Sequence, residues 1–307
     1  MAAATAVGLS RIAIRRTASG HRHGADRRIR WNSTCDGDRL RPTRSRKMTV
    51  SQTDMKQMMD ALIDPVRAAG DAIMTIHASG VAARDKPDGS PVTDADEAAE
   101  AILLAALAEV APQIAVVSEE NAASHTMAAP DCFFLVDPID GTKEFLRPDG
   151  NGAFTVNIGL IRGGAPVMGI VFAPAHDRLF TGIVGLGAAE TTKGTRRDIA
   201  VRDVPATGPI AVASRSHRDD ATNDWLASHG ITETVSTGSS VKFCLVAAAE
   251  ADVYPRFGPT MEWDTAAGDA ILRAAGGRME YPQGGVFAYG KPEYRNGPFI
   301  AYGGFRP

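Results

Sequence analysis

The stretch Cys132-Phe133-Phe134-Leu135-Val136-Asp137-Pro138-Ile139-Asp140-Gly141-Thr142 passes from five apolar residues directly into two acids. A short apolar run of this kind reads as a buried strand, and Pro138, which cannot donate to a sheet ladder, marks its end. The strand therefore delivers Asp137 and Asp140 to its carboxyl end. Gly141 permits a close backbone approach, and Thr142-Lys143-Glu144-Phe145-Leu146 reads as a first helical turn whose free N–H groups attract an anion. Two carboxylates and an anion so close in sequence repel one another unless a cation lies between them. The reading is a hard, oxygen-ligated metal bridging carboxylates and a phosphate.

A chain of 307 residues, 44% hydrophobic and 22% charged, can bury one large core or two modest ones. No apolar run approaches the roughly 20 residues of a membrane-spanning helix, so no integral membrane segment is expected. Cys35, Cys132 and Cys244 lie far apart without metal or redox spacing, and Cys132 and Cys244 read as reduced core residues in a reducing compartment. The expected location is the cytoplasm; peripheral membrane association and organellar targeting are the alternatives.

Charge is unevenly spread. Residues 1–47 carry 11 Arg and 1 Lys against 3 Asp, a net of +9, which leaves the remainder with 21 basic and 33 acidic residues, a net of -12. That basic segment fits a transit-like peptide, a nucleic-acid-binding arm or upstream sequence translated from a wrongly chosen start. The last is preferred, because Met48 opens a segment that reads at once as a domain. The apolar stretch Ala2 to Leu9 precedes the arginines, the wrong order for a secretion signal.

Along the body, helical spacing of Met55, Met58, Met59, Leu62, Ile63, Val66, Ala69 and Ile73 predicts a helix from Asp54, as N-cap, to about Ser79, with Pro65 kinking or restarting it. Thr93-Asp94-Ala95-Asp96-Glu97 opens a second helix to about Val110, acidic in its first turn as the helix dipole favours. Ile114-Ala115-Val116-Val117 followed by Ser118-Glu119-Glu120 repeats the strand-to-acid arrangement, so neighbouring strands would bring their carboxylates together. Phe154 to Ile161 and Val167 to Phe172 read as a hairpin about Gly163-Gly164, extended by a run near Leu179 to Val184. The polar region from about 190 to 208 reads as a linker or surface connection. Beyond it, strands at Ile210–Ala213, Ile231–Val235 and Ala251–Tyr254 alternate with helices at Asp219–Ser228, Ser240–Ala249 and Thr265–Ala275, which predicts a second, largely parallel sheet.

Asp94/Asp96, Glu119/Glu120, Asp137/Asp140 and Asp264 are four acidic clusters, each of which alone is more often a cap or a solvated face than a ligand. Position argues otherwise, since three of them stand at strand ends or helix starts. Oxygen ligands without nearby His or Cys select Mg²⁺ or Mn²⁺ over zinc. No Gly-x-Ser-x-Gly elbow is present. Gly285 to Lys291 meets the first part of a phosphate-binding P-loop, but Pro292 stands where the Ser/Thr that binds Mg²⁺ belongs, so that motif is set aside.

Three motifs, Ser118-Glu119-Glu120, Asp137-Pro138-Ile139-Asp140-Gly141-Thr142 and Trp263-Asp264-Thr265-Ala266-Ala267-Gly268, resemble those of the lithium-sensitive, magnesium-dependent phosphatases of the inositol monophosphatase superfamily, over about Met55 to Tyr302. Lys143-Glu144-Phe145, Gly238 to Cys244, Tyr254 to Thr260 and Tyr289 to Tyr294 look most like its 3′(2′),5′-bisphosphate nucleotidase branch. The resemblance implies a mixed α/β, layered α-β-α-β-α fold, with a larger α+β half at 48–190 and a smaller α/β half at 191–307 completing the site. It implies two or three Mg²⁺ held by Glu119, Asp137, Asp140, Asp264 and the Ile139 carbonyl. Asp96 would pair with Thr142 to orient and deprotonate a water, while Ser239, Lys242 and Arg256, with Gly141, Thr142 and Asp264, would bind substrate. His217 is a further candidate, and Asp94 stays a helix-start acid. The implied reaction removes the 3′-phosphate of 3′-phosphoadenosine 5′-phosphate, or of its sulfated form, as part of sulfate assimilation; the expected partner is that small nucleotide rather than a nucleic-acid polymer. The alternatives are an inositol or fructose phosphatase and a non-catalytic nucleotide- or metal-binding regulator.

Overall fold

In the computed structural model, the residues described are 50–80, 83–85, 91–147, 152–214 and 219–307. The basic segment 1–47, Met48 and His217 lie outside them. Helix α1 (Gln52–Ser79) starts one turn earlier than the sequence suggests, because Ser51 is the N-cap and Asp54 closes a capping box by accepting from the Ser51 N–H at 2.9 Å. Pro65 does not end it; the buried stripe on both sides, Met58, Leu62, Val66 and Ala69, keeps the two segments in one helix. A short hairpin, β1 (Ala83–Asp85) with β2 (Pro91–Thr93), leads into α2 (Asp94–Val110).

The next elements are β3 (Ala115–Ser118), β4 (Cys132–Asp140), α3 (Thr142–Leu146), β5 (Thr155–Arg162), β6 (Ala165–Ala173), β7 (Arg178–Ile183), β8 (Gly187–Thr192) and β9 (Thr195–Ile199). Their strands form one seven-stranded sheet in sequence order, parallel only between β3 and β4. The polar region expected to be a linker in fact carries the β8–β9 hairpin. Lys193 and Gly194 both have positive φ, the two-residue turn that matches strand twist, and β9 is polar because it is the edge.

The remaining elements are β10 (Ile210–Ser214), α4 (Asp220–Ser228), β11 (Glu233–Thr237), α5 (Val241–Ala247), β12 (Val253–Arg256), β13 (Thr260–Met261), α6 (Ala266–Ala274), β14 (Arg278–Glu280), β15 (Arg295–Asn296) and β16 (Phe299–Tyr302). The second sheet has the order β11-β10-β12-β16-β14 and is mixed rather than largely parallel. Helical crossovers make β10 parallel to β11 and β12. The chain then reaches β16 from β14 through a loop, which reverses it against both neighbours.

Three apolar clusters separate the layers. Phe134, Val136, Ile158 and Leu160 pack under α1 and α2, while Phe133, Leu135, Ile161 and Val171 face Phe243, Cys244, Ala267 and Ile271 of α5 and α6 on the opposite side. Ala211, Val253 and Ile300 of the second sheet cover Leu226 of α4. The order is α-β-α-β-α, and β4 is a continuous apolar run because both its faces are buried. Among the described residues no helix is long and apolar enough to cross a membrane.

Gly159, Gly169 and Gly182 stand side by side on β5, β6 and β7 beneath α6. A Cβ at Gly169 would lie 2.2 Å from the Ala267 carbonyl oxygen, and one at Gly182 would lie 2.7 Å from the Ile271 Cα. This smooth patch lets α6 approach the sheet closely, which brings the residues preceding α6 over the end of β4.

Candidate active site

Asp137 and Asp140 are three apart, a spacing that sends side chains to opposite faces of a regular strand. In β4 Asp137 pairs with Asn157 and Asp140 with Thr155, so Pro138 and Ile139 oppose the single Val156 and the extra residue is a β-bulge. The bulge returns Asp140 to the face of Asp137. Parallel pairing of Ser118 with Val136, and the Glu119 N–H donating to the Val136 carbonyl at 3.1 Å, bring Glu119 out beside Asp137. Asp264 reaches the same point from the turn before α6, where its Oδ2 accepts from the Met261 N–H at 2.8 Å.

Glu119, Asp137 and Asp264 each place a carboxylate oxygen within 4.8 Å of the others. Asp137 is 1% exposed and neither of its oxygens has a hydrogen-bond partner. Burial pushes its carboxyl well above the usual 3.8, and the charges of Glu119, Asp140 and Asp264 push it further. Burial also raises Asp264, reinforced by Asp140 and Glu119. Burial raises Asp140 too, opposed by Lys242 and by the Ser240 hydroxyl that donates to its Oδ2 at 2.8 Å. Buried polar atoms without partners are rare, and the two Asp137 oxygens in that state among converging like charges fit a cation. With only oxygen donors present, that cation is hard.

A cavity of about 550 Å³ opens over these acids; its wall includes the expected residues Glu119, Asp137, Ile139, Asp140, Gly141, Thr142, Ser239, Lys242, Arg256 and Asp264. Asp96 is not in the wall. It sits 1% exposed behind Thr142, whose hydroxyl lies 3.5 Å from Asp96 Oδ1 and donates to the Ile139 carbonyl at 3.2 Å. The other Asp96 oxygen accepts from the Thr93 N–H and hydroxyl, both at 2.7 Å, in the capping box of α2. Gly141, at φ 96°, makes the turn between β4 and α3. Asp94 pairs with Arg84 at 2.9 Å on the surface, away from this wall.

In the same wall, Lys242 is buried over the Tyr254 ring, its Nζ donating to the Ser239 carbonyl. Burial pulls its pKa down to about 8, against the pull of Asp140. Arg256 is fixed by donating to the Gly258 carbonyl at 3.2 Å and the Pro259 carbonyl at 3.0 Å. The cavity wall thus carries both the acids and two cations.

Sequence reading overlooked several supports. His125 stacks on Trp263 with ring centres 4.6 Å apart and its Nε2 lies 2.8 Å from the Ser118 carbonyl, tying the first motif to the third. Asn157 and Ser240 link β5 to the 238–240 turn. Asn157 carries no local signal, being one polar residue in the apolar run of β5, and Ser240 lies in the 238–244 motif without a cue to these partners. Lys291 of the discarded P-loop pattern is 2.8 Å from buried Glu262, which also accepts from the N–H groups of Gly290 and Lys291. Its charge is therefore spent on structure.

The sequence model of the inositol monophosphatase family matches residues 54–301. The protein named 3′(2′),5′-bisphosphate nucleotidase CysQ in Salmonella typhimurium is 45% identical over 235 residues, covering 76% of this chain and 94% of that protein. Its Escherichia coli K12 namesake is 43% identical over 236 residues, covering 76% and 94%. Among solved structures, CysQ from Bacteroides thetaiotaomicron, described as a bacterial member of the inositol monophosphatase family, superposes with a TM-score of 0.69 at 36% identity, covering 82% of this chain and 98% of that one. An inositol monophosphatase from Anabaena gives a TM-score of 0.63 at 26% identity, covering 82% and 92%. By the matched span and by these relatives, the chain belongs to the inositol monophosphatase family.

Proposed function

We propose that this chain is a Mg²⁺-dependent phosphatase that removes the 3′-phosphate of 3′-phosphoadenosine 5′-phosphate, giving AMP and inorganic phosphate, and that it also accepts the 5′-phosphosulfate form. The observation that carries this reading is one cavity wall that holds both an acid cluster, partnerless Asp137 with Glu119 and Asp264, and two cations, Lys242 and Arg256. A substrate with one phosphate needs only the acids and the metal they hold. The relatives named as bisphosphate nucleotidases support a use for the cations.

Glu119, Asp137, Asp140, Asp264 and the Ile139 carbonyl would hold two or three Mg²⁺ ions, which supply charge neutralisation for the phosphate dianion and acidify a water. Thr142 orients the attacking water and Asp96 receives its proton through the Thr142 hydroxyl. The backbone at Gly141 and Thr142 steadies the phosphoryl oxygens as charge moves onto them. Lys242 and Arg256 grip the remote phosphate, Arg256 with a fork that fixes orientation, and Ser239 lies beside them. The half built on the first sheet supplies Glu119, Asp137 and Asp140 with Asp96 and Thr142; the half that follows it supplies Asp264, Lys242 and Arg256. With Cys132 and Cys244 buried and unpaired, we place the enzyme in the cytoplasm.

Phosphate release from 3′-phosphoadenosine 5′-phosphate, inositol 1-phosphate and fructose 1,6-bisphosphate, with and without Mg²⁺ and Li⁺, tests the proposal. Turnover of the nucleotide at least tenfold above the others, dependent on Mg²⁺ and inhibited by millimolar Li⁺, is expected. A preference for inositol phosphate would overturn it.

A further inference from the structure

We propose that Ser240 is a positioning residue whose single hydroxyl stands between the Asp140 carboxylate and the backbone of Asp264 and thereby sets divalent-cation affinity. The proposal rests on the cation site read above. Ser240 is 1% exposed. Its Oγ lies 2.8 Å from Asp140 Oδ2 and 2.6 Å from the Asp264 carbonyl oxygen, and accepts from Asn157 Nδ2 at 2.9 Å. Asp140 belongs to the β4 bulge and Asp264 to the turn before α6, so one side chain touches both segments that carry the acids.

Proton counting gives the direction. A serine hydroxyl has one proton, and because Asn157 donates to the oxygen, that proton goes to Asp140 or to the Asp264 carbonyl. Asn157 is itself fully buried and stands opposite Asp137 in the sheet register, so the hydroxyl is aimed from a strand that cannot move without β4. The turn carrying Ser240 is held in an unfavourable shape: Ser239 has φ 51°, in the left-handed region that favours glycine, and its carbonyl is clamped by Lys242. Such strain persists only where surrounding contacts over-determine it, and the three contacts of Ser240 do so here. Without the hydroxyl, the Asp140 carboxylate is free to rotate and the turn slackens against Asp264. Partners of this kind, one step behind a metal-ligating group, change metal affinity by roughly 10–100-fold when removed.

The test compares wild type with Ser240→Ala and Ser240→Cys, the latter filling the same space with a weak donor, and with Asn157→Ser. Mn²⁺ is titrated calorimetrically without substrate, and thermal unfolding of the metal-free proteins is recorded beside it. Both Ser240 variants are expected to bind Mn²⁺ at least about tenfold more weakly, with Asn157→Ser shifted in the same direction, little change in the metal-free midpoint, and kcat restored at saturating Mn²⁺. Mn²⁺ affinity within twofold of wild type in Ser240→Cys overturns the proposal. So does loss of folding in both Ser240 variants, which would make the residue structural. A wild type that binds Mn²⁺ but hydrolyses no nucleotide would sink the substrate reading and leave this one standing; one that binds no Mn²⁺ would sink both.

Discussion

Asp137→Asn should stabilise the metal-free protein while abolishing its activity. The carboxylate oxygens of Glu119, Asp137 and Asp264 lie within 4.8 Å of one another, and at an effective dielectric of about 20 each ionised pair at that distance costs about 3–4 kcal/mol. Removing Asp137 eliminates two such pairs. The relief is capped, because neutralising one carboxyl at pH 7 costs only about 4 kcal/mol and the native protein takes that route first. A gain of about 2–4 kcal/mol remains, a rise in melting temperature of roughly 5–10 °C for a domain of this size. The sign of the pH dependence follows from the same acids. Asp137 and Asp264 are raised above their ordinary 3.8, so the metal-free fold holds protons that the unfolded chain has released. That contribution is fully present below about pH 4 and is lost as pH climbs through the raised values, by up to about 1.4 kcal/mol per pH unit for each group. Thermal unfolding of EDTA-treated protein between pH 4 and 8 reads both effects, and Mg²⁺ should flatten the wild-type curve. If Asp137→Asn lowers the melting temperature of the metal-free protein, or if wild type without metal is as stable at pH 8 as at pH 5, the cluster is not the site of converging charge argued for it.

If the proposed proton path holds, Thr142→Val should lower kcat by about 10²–10⁴-fold with KM little changed, measured by steady-state phosphate release, because it removes the hydroxyl next to Asp96 that would pass on the water's proton. The Lys242 pKa is brought down from 10.5 to about 8, so its charge is present below that pH and lost above it. The pH profile of kcat/KM for the bisphosphate should therefore bend downward near 8, and Lys242→Met should remove the bend. Gly169→Ala places a Cβ 2.2 Å from the Ala267 carbonyl oxygen; a loss of about 2–3 kcal/mol in urea unfolding is expected, with weaker Mn²⁺ binding as α6 lifts Asp264 away.

Most elements were legible because each rests on local pattern: the apolar run into Asp137, the helical stripe of α1, the Gly163-Gly164 turn; the layered order came only from the resemblance of the motifs. The misread segments had local patterns that tertiary context overrode. Polarity at 190–199 signals a linker, but an edge strand is polar for a different reason, and the β8–β9 turn uses Lys193-Gly194 in place of the usual Asn-Gly. Alternation of strands and helices after residue 208 signals a parallel sheet, but the direction of β16 depends on a loop, which has no periodicity to read.

The sequence by itself singled out the acids that could converge, because Glu119, Asp137, Asp140 and Asp264 each stand at or near the end of a strand or the start of a helix, where side chains escape the packing of an element. Only the tertiary structure decided that they meet. Asp137 and Asp140 share a face through one inserted residue in β4, Asp264 arrives because three glycines on neighbouring strands let α6 sit close, and the Ser240 hydroxyl stands between the two segments, within hydrogen-bond distance of each. Each of these depends on register between segments far apart in the chain, and register is fixed by packing across the sheet rather than by any local run of residues.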